Sequence, residues 1–268
     1  MAALAALQMY DLPALRGATD ALWGGIARAL SSRGIPAPAV LMRGRPVAEA
    51  WEDPALLLAQ TCGYPFWTAL RGNVRLVATP LYTAPGCEGP HYRSAIVVRA
   101  DDRAATLAEC RGYRPAVNAR DSQSGHNALR AAVAPLARRA PFLGRAVETG
   151  AHLASARAVA EGAADIAAID CVTWALAGEA APAAVAGLRR IDWSPAAPAL
   201  PFITAGARDD ATLDALREAL AEAMADAALA PARRALMIDG VTVLREDAYA
   251  VISAMEVAAE AAGQPALL

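Results

Sequence analysis

Arg114-Pro115-Ala116-Val117-Asn118-Ala119-Arg120-Asp121-Ser122-Gln123-Ser124-Gly125-His126-Asn127-Ala128-Leu129-Arg130-Ala131-Ala132-Val133 reads as a strand, a loop of small residues and a helix in direct succession. A strand that feeds a helix through a short loop is the repeating unit of an α/β fold. The first turn of such a helix carries free backbone N–H groups and the positive end of the peptide dipole. Two serine hydroxyls beside that turn suit a phosphate, a phosphonate or a carboxylate. A plain helix cap by Ser122 or Ser124 accounts for the same residues, because every strand-to-helix junction needs one.

The same alternation continues on both sides. Leu4–Met9 reads as a strand and Leu15–Leu30 as a helix, with Leu15, Ala18, Leu22, Ile26 and Leu30 at helical spacing. Ala39–Met42 is a short strand, Pro54–Gln60 a helical turn and then a buried strand, and Tyr64–Leu70 the start of a helix. Val74–Pro80 is a strand ended by its proline. Ser94–Ala100, Val147–Gly150, Ala164–Asp170 and Leu200–Ala205 are strands or strand ends; Thr106–Cys110, Ala151–Glu161, Cys171–Leu176 and Leu213–Ala227 are helical. This order predicts mostly parallel sheets with helices on both faces. Ligands of such sheets gather at the C-terminal ends of the strands. The serine loop, Asp170, Tyr10 and the Thr61-Cys62-Gly63-Tyr64 turn all hold that kind of position.

Composition excludes several classes. The chain has 268 residues, 56% hydrophobic and 19% charged, enough for one large domain or two lobes. A formal net charge of −2 offers no basic surface for nucleic acid. The four cysteines, Cys62, Cys87, Cys110 and Cys171, show no CxxC spacing, which argues against a zinc or thioredoxin-type site. They fit free thiols in a reducing compartment, and a Cys62–Cys87 disulfide stays open. Met1–Leu7 lacks a basic n-region and is short for a signal peptide. That predicts either a cytoplasmic chain or one whose export signal has been removed. No uncharged run of about 20 apolar residues is present, so no membrane span is expected.

Catalytic signatures are missing. The serines do not stand in GxSxG, and His91, His126 and His152 show no HExxH spacing. Neither a phosphate-binding GxxxxGK[ST] loop nor a dinucleotide fingerprint occurs. No cofactor and no metal are expected.

Five stretches in order carry a resemblance: Leu57–Pro65, Tyr92–Arg99, Asp121–Gly125, Thr149–His152 and Ala167–Asp170. Together they resemble the phosphate/phosphonate substrate-binding family of ABC importers, over nearly the whole chain. The resemblance implies a two-lobed type 2 periplasmic-binding-protein fold with two hinge crossings and a central ligand cleft. The crossings would fall near Tyr92–Ile96 and Phe202–Arg208. One lobe would comprise residues 1–91 plus 208–268, and the other 92–207. The implied ligand residues are Ser122, Gln123, Ser124, Gly125, His152 and Asp170, with Tyr10, Thr61 and Tyr64 from the first lobe. Gln123 departs from the family's threonine-like middle position. The implied function is capture of a small oxyanion by a monomer, without chemistry, for an ABC permease.

Other readings stay open. His152 fits a surface or capping histidine, and Asp170 an N-cap. Tyr10 and Tyr64 fit packing roles, and Tyr82 and Tyr92 a hinge. Cytosolic enzymes of the same fold, acting in thiamine-pyrimidine or chorismate-derived metabolism, and a cytoplasmic ligand sensor are the alternatives.

Overall fold

The computed structural model of the chain describes residues 3–268. In chain order its elements are β1 (Leu4–Ala6), α1 (Arg16–Ser32), α2 (Val47–Trp51), β2 (Leu56–Gln60), α3 (Gly63–Trp67), β3 (Val74–Tyr82), β4 (His91–Tyr92) and β5 (Ser94–Arg99). Next come β6 (Pro115–Val117), α4 (Ala128–Ala137), β7 (Val147–Glu148), α5 (His152–Ala160), β8 (Ile166–Asp170), α6 (Cys171–Ala180), β9 (Leu188–Trp193) and β10 (Ala197–Pro198). The last are β11 (Phe202–Ala205), α7 (Asp210–Ala225), α8 (Ala230–Ala235), β12 (Ile238–Thr242) and α9 (Val251–Ala261).

Two compact units emerge. The first is Met1–Thr83, Glu88–Pro90 and Pro198–Ala248; the second is Ala84–Cys87, His91–Ala197 and Tyr249–Leu268. The first unit holds a sheet of order β1-β2-β11-β3-β12. There β1 and β2 run parallel, while β11 is antiparallel to β2 and β3, and β12 to β3. The second unit holds a sheet of order β7-β6-β8-β5-β9, with β6 parallel to β7 and β8, and β5 antiparallel to β8 and β9. The sheets are therefore mixed rather than mostly parallel. In each, a strand reached after the chain has changed units (β11, β5) inserts with the opposite direction.

Strand alternation explains the layering of the second unit. Ile96, Val98, Ile166 and Ala168 share a buried cluster with Leu129 and Val133 of α4. Ala95, Val97, Ala167 and Ile169 share another with Ala156 and Val159 of α5. Successive residues of β5 and β8 thus face opposite helices, which requires residues 95–98 and 166–169 to be apolar. Each such Ile, Leu or Val contributes about 1.5–3 kcal/mol on burial.

Several expectations need correction. Ala39–Met42 is an irregular segment rather than a strand: Leu41 is buried and the Met42 N–H donates to the Ala5 carbonyl of β1, but Val40 is 75% exposed and no ladder forms. β3 runs through Pro80 to Tyr82. Its β11 ladder ends at Ala78, and only β12 pairs with it from Thr79 onward, so the missing proline donor falls where one neighbour has gone. The chain rejoins the first unit at Pro198, before the expected Phe202–Arg208, because Phe202–Ala205 is already a central strand there. Residues 208–268 do not all belong to the first unit. Tyr249–Leu268 joins the second, where buried Arg130 of α4 reaches Glu256 and Glu260 of α9 and the Gln264 carbonyl. The Cys62–Cys87 bond is not formed; none of the four cysteines is in a disulfide. Among the described residues, no helix is long and apolar enough to cross a membrane, and no His/Cys/Asp/Glu cluster could hold a metal ion.

Candidate anion-binding site

The serine loop follows β6 without a break. Ser122 takes an extended conformation, and its Oγ accepts the Gly125 N–H at 3.0 Å, capping the turn that begins at Gln123. Gln123–Asn127 then forms a π-helical turn, in which the His126 and Asn127 N–H groups donate to the Ser122 carbonyl. The wider π turn leads directly into α4. Such turns recur at functional sites because they re-aim a few side chains without breaking the helix. All five residues of the turn are buried.

Glycine is required at 125. A Cβ there would lie 1.8 Å from Asn118 Oδ1, 2.8 Å from its Cγ and 3.3 Å from His152 Cε1. The Asn118 Oδ1 atom is buried and makes no hydrogen bond. Gln123 turns away from the loop mouth. Its Oε1 accepts from Asn127 Nδ2 at 2.8 Å, and its Nε2 donates to Met255 Sδ at 3.5 Å. Asn127 Nδ2 also donates to the Ile252 carbonyl. The departure at Gln123 thus ties the loop to α9.

Ser124 Oγ lies 2.8 Å from His152 Nε2, at the head of α5. Burial pushes His152 down to about 4, with the Ala168 carbonyl opposing weakly. The carbonyl raises the ring's basicity without a formed hydrogen bond to the buried Nδ1. His152 is therefore neutral at pH 7. Ser94 Oγ donates to the Ser124 carbonyl at 2.9 Å, and Ser94 pairs with Asp170 in the β5–β8 ladder. Asp170 Oδ1 accepts the Val172 and Thr173 N–H groups at 2.8 and 3.0 Å, so this carboxylate is the N-cap of α6. The second unit therefore brings together Ser122, Gln123, Ser124, Gly125 and His152, with Asp170 one strand away.

The other three expected residues lie in the first unit. Tyr10 meets Tyr82 edge-on, with centroids 5.3 Å apart, beside a pocket of about 30 Å³ lined also by Gln60 and Phe202. That volume holds one or two waters. Gln60 Nε2 donates to the Tyr82 hydroxyl and the Leu200 carbonyl, which fixes the Tyr82 ring. Thr61 is fully buried; its hydroxyl donates to the Cys62 carbonyl and its N–H to the Pro201 carbonyl. Tyr64 is half-buried in the short helix α3.

Sequence reasoning missed Ser94, Asn118 and Gln60. Asn118 stood in the quoted stretch as the last strand residue, and a polar residue at that point was the available signal. Ser94 and Gln60 act through pairings remote in sequence and left none.

The neutral His152 sets a pH dependence. Its folded value of about 4 lies below the ordinary 6.5, so the unfolded chain takes up the proton first as pH falls. Stability is then lost between pH 6.5 and 4, by up to about 3 kcal/mol from this group. His126 is also held below its ordinary value, chiefly by burial, and adds in the same direction. Urea unfolding at pH 7 and pH 4.5 should show this loss, and His152→Gln should shrink it by at least about 1 kcal/mol. An unchanged difference in the variant would mean that the ring is protonated in the folded protein.

Two α/β units joined by a chain that passes back and forth define the two-lobed type 2 periplasmic-binding-protein fold. A sequence model of the family described as "ABC transporter, phosphonate, periplasmic substrate-binding protein" matches residues 27–249, and the chain belongs to that family. The family supplies the substrate-binding component of a transporter and is not a family of enzymes. The fold is similar to that of PhnD1 from Prochlorococcus marinus in complex with methylphosphonate, at 13% identity and a TM-score of 0.75, covering 96% of this chain and 97% of that one. It is similar to a binding protein component of an ABC phosphonate transporter from Pseudomonas aeruginosa, at 16% identity and a TM-score of 0.74, covering 97% and 87%. A Xanthomonas citri protein bound to ATP shares the fold at 16% identity and a TM-score of 0.71, covering 98% of each chain. No curated protein matches the chain in sequence.

Proposed function

We propose that this chain is exported, binds one phosphonate- or phosphate-class anion as a monomer, and presents it to an ABC permease. Membership of a periplasmic substrate-binding family supports the export and the permease. The observation that carries the ligand class is the Ser124–His152 pair beside the Ser122 cap. Ser122 Oγ accepts from Gly125, which leaves its hydroxyl hydrogen to donate to an anion. Neutral His152 holds one ring proton. The Ala168 carbonyl favours that proton on Nδ1, with Ser124 donating to Nε2; an arriving anion that takes the Ser124 hydroxyl hydrogen draws the ring proton to Nε2, which then donates to Ser124 Oγ. Hydroxyls and the helix dipole then hold the charge without a catalytic group.

Isothermal titration against phosphate, methylphosphonate, an aminoalkylphosphonate and acetate tests this. Binding near 1:1 is expected for a phosphorus oxyanion and none for acetate. Asp170→Asn should leave phosphate affinity within about threefold and the fold intact, since asparagine caps helices as well as aspartate does. The same change should weaken an aminoalkyl ligand by about tenfold or more, because a cation loses its partner. No heat with any phosphorus oxyanion would overturn the reading.

A further inference from the structure

We propose that Cys87 and Cys171 form a reversible disulfide, closing when the protein meets an oxidising compartment. Their Sγ atoms lie 3.4 Å apart within the second unit. A disulfide needs about 2.05 Å, so the pair closes by roughly 1.3 Å, within reach of side-chain rotation. The approach is built in by the backbone. Gly86 has φ +101°, and a Cβ on it would lie 2.7 Å from Trp193 Cζ3 and 3.0 Å from Cys171 Cβ. Only glycine lets the 84–87 turn pack so closely against β9 and the head of α6. The turn is closed by the Cys87 N–H donating to the Ala84 carbonyl, and Cys171 is fixed by its own N–H donating to the Arg93 carbonyl. Both sulfur-bearing segments are thus held in place before oxidation.

The two thiols differ in access. Cys87 is part-exposed and Cys171 fully buried. The contact with Cys87, then burial and the neighbouring Asp170 carboxylate, push the Cys171 thiol well up. A small disulfide such as oxidised glutathione therefore meets Cys87 first. The Cys87 thiolate attacks one sulfur, the S–S bond of the reagent breaks, and one glutathione leaves as thiol. Cys171 then gives up its proton and attacks the Cys87 sulfur, expelling the second glutathione. Two protein thiols are oxidised and one small disulfide is reduced to two thiols. The bond ties the 84–87 turn to the first residue of α6, directly after the Asp170 cap.

The purified full-length chain, incubated with oxidised glutathione, tests the inference. The denatured protein should fall from four titratable thiols to two and return to four with dithiothreitol. Cleavage after arginine places the four cysteines in four different peptides. Mapping without reductant should join peptide 76–93 to peptide 158–189. Cys62→Ser should fall from three thiols to one and Cys87→Ser should keep all three, whereas Cys171→Ser should stop at two, with glutathione held on Cys87 for want of the resolving thiol. In the unsubstituted chain, four persistent thiols, a lasting glutathione adduct on Cys87, or a bond to Cys62 or Cys110 would each overturn the proposal.

Discussion

Gly125→Ala is expected to weaken phosphonate or phosphate binding by about a hundredfold, the same order as the loss of two hydrogen bonds to the anion. The cause is overlap, since the new Cβ would sit 1.8 Å from Asn118 Oδ1 and 2.8 Å from its Cγ. Neither β6 nor the π turn can yield easily, because one is paired on both sides and the other is tied to α9. Overpacking of this kind costs about 1–3 kcal/mol. The strain displaces the Ser122 cap and the Ser124–His152 contact together, since both flank residue 125. Asn118→Ala removes the obstructing amide, whose Oδ1 makes no hydrogen bond. The double variant should therefore recover most of the lost stability in urea unfolding and part of the affinity. If Gly125→Ala alone keeps wild-type stability and affinity, Asn118 swings aside freely and the tight loop is not what shapes the site.

The fold was legible where strands are buried on both faces. Residues 56–59, 94–98 and 166–169 are runs of apolar or small residues that only a covered sheet accepts. Strand direction was not legible, because an antiparallel insertion such as β11 has the same local pattern as a parallel strand. β9 escaped notice for a different reason. Leu188–Trp193 carries Arg189, Arg190 and Asp192 and lies at the sheet edge, where half-exposed residues dilute the alternation. The C-terminal helix was assigned to the wrong unit because its attachment runs through Arg130, a residue whose charge suggests surface but which is 1% exposed. At the candidate site, the serines and glycine stood out by type and spacing, and the structure places them in one buried turn. The choice between ligand and cap at Asp170 did not, since both uses want a carboxylate at a helix start; the structure shows it acting as the cap. The roles of Gln123 and Asn127 depend on α9, more than 120 residues downstream, and no local pattern carries that information.

Replacing both Ser122 and Ser124 by alanine should lower the affinity for the preferred phosphorus oxyanion by about a hundredfold or more. Two hydroxyl donors are lost, and each hydrogen bond to a charged group is worth about 1.5–3 kcal/mol. Some binding should survive through the helix dipole and remaining backbone donors. One complication is that Ser122 also caps the turn through Gly125, and an alanine there costs about 1 kcal/mol of stability in its own right. Glycine at an N-cap costs only a few tenths of that. Ser122→Gly and Ser122→Ala should therefore weaken binding to a similar degree while differing in urea midpoint. That pattern separates loss of a ligand donor from loss of a cap. Ser124→Ala removes the link to His152 as well, so the proton taken up or released on binding should change, as read by titration in buffers of different ionisation enthalpy. Unchanged affinity in the double variant would place the anion elsewhere on the chain and leave both serines as helix caps.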